Sequence, residues 1–123
     1  MVKAIRYIAG GLLAAVVALP TGSAFATTVR AYNGDGELVA TAWSPVGKHG
    51  EYKGTVGLRD ESGGNWVKAE YYRARNNDNH TLWNKSGKGV RVYSNSGSKI
   101  VKLQVCEDID WGSDHCSGWS WVS

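Results

Sequence analysis

The sequence predicts an all-β fold: a small antiparallel β-sandwich or barrel of about eight strands, ending in a hairpin closed by one disulfide. Three observations predict it. Beyond residue 26 no stretch has a helical period. Short alternating segments recur instead, each ended by a cluster of Gly, Asn, Asp or Ser. The only two cysteines, Cys106 and Cys116, lie ten positions apart around an acidic segment that contains a glycine.

The first residues read as an address and not as part of the fold. Lys3 and Arg6 form a short positive region, and Ile8 to Leu19 is apolar with only glycine interrupting. Pro20, Gly22 and Ser23 break the run before Ala24-Phe25-Ala26, an A-x-A cleavage site. An apolar run of about twelve residues is well short of the roughly 20 that span a bilayer. Residues 1–26 are therefore expected to be a signal peptide. Residues 27–123, 97 residues (123 less 26), are expected to form one secreted β domain.

Thr27 to Tyr32 reads as the first strand, followed by the turn signal Asn33-Gly34-Asp35-Gly36. Glu37 to Trp43 is the second, ended by Ser44-Pro45. Tyr52 to Leu58 and Asn65 to Arg75 flank Asp60-Glu61-Ser62-Gly63-Gly64, read as a hairpin loop. Within the second of these, Val67, Ala69 and Tyr71 belong inside. Trp66, Lys68, Glu70 and Tyr72 mix aromatic and charged groups as a solvated face does. Thr81 to Asn84, Val90 to Ser94 and Lys99 to Glu107 continue the pattern, with Val101, Leu103 and Val105 on one face and Lys102, Gln104 and Cys106 on the other. The last strand runs from about Ser117 to Val122. Short loops imply antiparallel pairing throughout.

Export gives the cysteines an oxidising destination, and only one intramolecular pairing is available. Facing cysteines in an antiparallel pair suit disulfide geometry. No zinc-ligand spacing surrounds them.

The full chain has 14 basic and 11 acidic residues, and loss of Lys3 and Arg6 leaves 12 against 11. The charges are unevenly placed. Arg73, Arg75, Lys85, Lys88, Arg91, Lys99 and Lys102 are opposed only by Asp78, whereas Glu107 to Asp114 holds four acids and neither Lys nor Arg. Such bipolarity suits an oriented encounter with a charged partner. The plainer reading, a soluble surface whose charges intermix after folding, is favoured.

No reaction signature is present. None of the serines sits in G-x-S-x-G, and phosphate-binding Gly loops and HExxH are absent. His49, His80 and His115 all fall in turn-like settings. A spatially assembled carboxylate pair such as Glu51 with Glu70 has nothing to single it out. Neither a catalytic residue, a cofactor nor a metal site is assigned, although Glu107, Asp108, Asp110 and Asp114 offer the oxygen ligands calcium prefers. The aromatic residues weigh more. Of six tryptophans, six tyrosines and one phenylalanine, only Tyr7 and Phe25 precede residue 27. Trp and Tyr, with a polar handle on an apolar ring, favour interfaces. About half the tryptophans are expected in the core. Trp66, Tyr72, Trp83, Trp111, Trp119 and Trp121 are candidates for stacking on sugar or anchoring a protein, with Trp111 the first choice for an exposed anchor. The candidate binding set is Trp111 and Trp119 with Glu107, Asp108, Asp110 and Asp114. Aromatics interleaved with the basic stretch suggest nucleic acid only superficially, given the near-neutral charge and export, and no nucleic acid partner is assigned.

Two segments carry a resemblance: Thr81-Leu82-Trp83-Asn84-Lys85-Ser86-Gly87, and Val105-Cys106 through Trp111-Gly112-Ser113-Asp114 to Cys116-Ser117-Gly118-Trp119. They resemble small secreted proteins of Streptomyces-like actinobacteria. In size, export and lack of catalytic motifs the chain is similar to the adaptor subunits of umbrella toxin particles, which join a lectin-bearing subunit to a large toxin subunit. The resemblance implies an extracellular protein partner and no catalytic residue. It departs from that pattern where Thr27 to Tyr32 reads as a strand and not as an extended arm. The expected function is a secreted, non-catalytic binding protein, foremost a protein–protein adaptor in an extracellular, toxin-type assembly. The alternatives are a carbohydrate or cell-wall binding module and a small inhibitor of an extracellular enzyme.

Overall fold

A computed structural model describes residues 26–46 and 54–122. The expected signal peptide, His49, Glu51 and Tyr52 lie outside the described residues. Among the described residues nine strands form: β1 Thr27–Tyr32, β2 Leu38–Ser44, β3 Gly57–Asp60, β4 Val67–Arg73, β5 His80–Asn84, β6 Arg91–Tyr93, β7 Ile100–Glu107, β8 His115–Cys116 and β9 Ser120–Trp121. All pairings are antiparallel. One sheet has the order β1-β2-β3-β6. The other has the order β8-β7-β4-β5, with β9 following β8 along the same edge of β7.

The two sheets form a small β-sandwich, and the alternation in each strand decides what lies between them. Val29 and Ala31 of β1, Ala40 and Ala42 of β2, and Leu58 of β3 face Val67, Ala69 and Tyr71 of β4 and Leu103 and Val105 of β7. Val39, Val56, Ile100 and Val122 complete the core. Many of these side chains are small: among the described residues no aromatic ring apart from Tyr71 contributes to the core, and alanine is common in it. A core of this kind keeps the sheets close, but it leaves the large rings elsewhere.

Turn chemistry places most of the boundaries. The Asn33 carboxamide oxygen accepts the amides of Asp35 and Glu37, while Gly36 adopts a positive φ of 81°. The segment from Asp60 to Gly64 is not the hairpin loop expected from its composition. Asp60 is buried and its carboxylate accepts the amides of Ser62 and Gly63. The chain then passes from β3 in one sheet to β4 in the other. A glycine-rich loop has the same local signature whether it closes a hairpin or crosses between layers. The expected last strand from about Ser117 to Val122 is shortened to β9, with Gly118, whose φ is 84°, turning the chain between β8 and β9. Arg73, counted above in a basic stretch, serves the fold. Its guanidinium donates to the carbonyls of Gly54, Ser98 and Asn95 at 2.7, 2.8 and 2.9 Å. Among the described residues no helix is long and apolar enough to cross a membrane.

Candidate functional site, the outer face of the five-stranded sheet

The alternation that turns Val67, Ala69 and Tyr71 inward turns Lys68, Glu70 and Tyr72 outward. The register then sets the residues of neighbouring strands beside them. One row across the outer face reads Trp83, Lys68, Cys106, Cys116. The next reads Thr81, Glu70, Gln104. The third brings together Tyr72, Lys102 and Trp121. Trp66 immediately precedes β4 at one end and Trp119 immediately precedes β9 at the other.

The result is two aromatic clusters, each with a lysine among its rings. At one end Trp66 and Trp83 meet edge to face, with centroids 6.3 Å apart, and the Lys85 ammonium lies 4.1 Å from the Trp66 ring centre. At the other end Tyr72 and Trp119 are tilted against each other at 5.2 Å. Lys102 stands 4.6 Å from Tyr72, 5.0 Å from Trp119 and 5.9 Å from Trp121. Cation–π attraction of this sort is worth about 0.5–1 kcal/mol at exposed sites, enough to orient the lysine stems without locking them. Between the clusters the Gln104 amide donates to the Glu70 carboxylate at 2.6 Å. From Trp66 to Tyr72 the strand covers roughly 20 Å at 3.3 Å per residue.

Lys68 is the electrostatic centre of this face. Its ammonium lies 3.2 Å from Asp114 and 3.6 Å from Glu70. Burial works against its charge, but the hydrogen bond to Asp114 and the charges of Glu70, Asp114 and Asp108 outweigh it. The Lys68 pKa is therefore held above the usual 10.5. Lys85 and Lys102 have no carboxylate partner among the described residues.

The disulfide joins Cys106 to Cys116, which are direct cross-strand partners with Cα atoms 4.0 Å apart. This is the expected stapled hairpin. Its four acids are not all the solvated charges that a hairpin tip suggests. Glu107 is buried, accepts from His115 Nδ1 at 3.0 Å and lies 3.5 Å from the Ser62 hydroxyl. Asp114 accepts the Ile109 amide as well as pairing with Lys68. Asp108 and Asp110 line a concavity of about 220 Å³ with Gly64, Asn65 and Trp66. Thus Glu107 and Asp114 have different partners, while Asp108 and Asp110 share the concavity. Among the described residues no three His, Cys, Asp or Glu side chains converge as metal ligands would. The acidic segment is met by Lys68, which lies outside the basic stretch read in the sequence.

The tryptophans depart from expectation. Instead of half being buried, five of the six are exposed, from Trp83 at 39 % to Trp121 at 75 % and Trp111 at 90 %. Trp111 crowns the hairpin tip and Trp119 belongs to the cluster around Lys102. The sequence reading did name Trp66, Tyr72, Trp83 and Trp121 as candidates, but it left Lys68, Lys85, Lys102, Glu70 and Gln104 out of the site. The signal for Lys68 and Glu70 was present in the Trp66-to-Tyr72 alternation. Their merger with Lys102, Gln104 and Trp121 depends on which strands adjoin. The chain matches no protein-family model, no curated protein and no solved structure.

Proposed function

We propose that the chain is an exported, non-catalytic binding protein whose five-stranded sheet receives a glycan chain on its outer face. One observation carries this reading: four exposed tryptophans and Tyr72 lie on a single sheet face with polar groups between them. The π face of an aromatic ring is electronegative and attracts the positive C–H face of a sugar ring. Glu70 and Gln104, with the ammonium groups of Lys85 and Lys102, stand where hydroxyl groups of such a chain would need acceptors and donors.

Retention of the mature protein on chitin, cellulose and peptidoglycan tests the reading, with a Trp66→Ala/Trp121→Ala variant as the comparison. By analogy with base stacking, each ring removed costs about 1–3 kcal/mol. Retention should therefore drop while the melting midpoint holds. Failure of the wild type to bind any glycan, or equal binding by the variant, rejects the proposal.

The adaptor reading keeps one specific observation. Trp111 is 90 % exposed, stands outside the two clusters, and follows Asp110 in the acidic loop. An exposed indole in an acidic loop is a suitable anchor for a protein partner. Affinity purification from culture supernatant should then recover a protein in fixed proportion, and Trp111→Ala should lose it. Recovery of the chain alone counts against the adaptor.

A further inference from the structure

The outer face of the four-stranded sheet has a different chemistry. Its central row reads Arg30, Thr41, Arg59, Arg91, one residue from each strand. Arg59 and Arg91 are direct cross-strand partners. Neighbours of this kind are about 5 Å apart, and Arg30 stands about 10 Å from Arg59. Like charges placed directly opposite one another destabilise a sheet. One carboxylate answers the three guanidinium groups: Glu61 lies 3.2 Å from Arg59 and also accepts the Thr41 hydroxyl. Among the described residues no carboxylate pairs with Arg30 or Arg91. The covered Nε of Arg59 meets no acceptor either. Nothing in the packing of the sandwich requires this row of arginines.

We infer that this face is a second binding site, and that its ligand is an acidic polysaccharide. The planar guanidinium fork matches a carboxylate or phosphate oxygen pair with two parallel hydrogen bonds. A row of three forks along a flat sheet suits a chain that presents such groups in succession. The arginine row itself carries no aromatic ring on which successive bases could stack, as a nucleic acid strand would need. Trp43 rests against Gly57, where even a methyl group would collide with the indole, and the Arg91 guanidinium lies 5.9 Å from its ring centre. Tyr93 meets Trp43 edge-on. An acidic protein partner would bury an apolar centre, and the largest apolar group of this face is already partly buried against the neighbouring strand. The site uses no residue of the five-stranded sheet and stands independently of the glycan reading above.

The test is equilibrium binding of the mature protein to polygalacturonate at low and moderate salt, with Arg30→Gln/Arg91→Gln and the charge-matched Arg75→Gln/Lys99→Gln, at exposed residues of neither face, as paired variants. Wild type should bind, and more weakly as salt screens the charges. The Arg30→Gln/Arg91→Gln variant should bind roughly tenfold more weakly or worse through loss of charge-assisted contacts, whereas the charge-matched variant should stay within about twofold of wild type. Without ligand, the arginine variant should melt at or above the wild-type midpoint, since it relieves a like-charge pair. Three results overturn the inference: equal binding by the arginine variant, a lowered midpoint that makes the row structural, or binding of poly-glutamate or oligothymidylate as tight as that of polygalacturonate.

Discussion

Replacing both cysteines by alanine separates what the staple contributes to stability from what it contributes to the aromatic face. The bond spans ten residues. In the loop-closure model, removing it returns about 9 cal/mol/K of entropy to the unfolded chain, or about 2.7 kcal/mol at 25 °C. A domain of this size has a total stability of about 5–15 kcal/mol, so the sandwich should still fold. Its melting point should drop by about 10–20 °C at 4–8 °C per kcal/mol. The effect should be local in the native state. β7 stays paired with β4 from Ile100 to Glu107, whereas β8 is only two residues long. Its hold on β7 then rests on such contacts as the Ser117 amide to the Val105 carbonyl at 2.8 Å and His115 to Glu107. Urea unfolding followed by tryptophan emission measures the midpoint, and the slope of the transition should hold or rise slightly as the freed chain opens further. An unchanged midpoint refutes the argument by showing that the hairpin contacts alone already restrict the loop. Complete loss of folding refutes it in the other direction, because the hairpin would then contribute far more than loop closure.

Two further outcomes follow from the packing. Lys68 has a folded pKa above its unfolded value near 10.5, so its contribution is fully present below pH 10.5 and disappears as pH rises through the folded value. The stability gap between wild type and Lys68→Met should stay level to about pH 10 and then shrink; a gap that widens above pH 10 would reverse the sign of the reasoning. Gly57→Ala should cost about 1–3 kcal/mol through overpacking against the Trp43 indole. That cost should largely vanish in a Trp43→Ala background, and additive effects of the two substitutions would show that the residues do not meet.

The parts of the fold legible in the sequence were those fixed by period and local chemistry. Val67, Ala69 and Tyr71 are buried and Lys68, Glu70 and Tyr72 are not, as a two-residue period requires. The Asn33 turn and the Cys106–Cys116 hairpin are local, and they lie where the sequence placed them. The crossover after Asp60 was not legible, because Ser62-Gly63-Gly64 permits either a hairpin or a change of layer and only long-range packing decides. The same limit hid the site. Tyr72 and Lys102 are 30 positions apart, and their contact follows from β4 pairing with β7, which no single-strand pattern states. Glu107 was misread for a related reason: a carboxylate beside three other acids suggests a solvated tip, but the register sets it against His115 and under Ser62.

The exposed rings are best explained by what the core declines to use. A buried tryptophan removes about 150–250 Å² from water, worth about 4–6 kcal/mol at 25 cal/mol per Å². A small sandwich of marginal stability would gain from sinking even one of its five exposed indoles. Its interior is instead filled largely by small side chains such as Val29, Ala31, Ala40, Ala42, Val67, Ala69 and Val105, with Tyr71 the one ring among the described core residues. The arginine row on the opposite sheet has the same character, since Arg59 against Arg91 is a repulsion that any neutral pair would relieve. Stability alone therefore selects against both faces. On the two readings proposed above a ligand would offset that cost: sugar faces for the rings on one side, acidic groups for the guanidinium row on the other. Two independent binding faces on opposite sides of a sandwich would let one molecule bridge two polymer chains, and substitutions on either face should abolish bridging while leaving single-chain binding by the other intact.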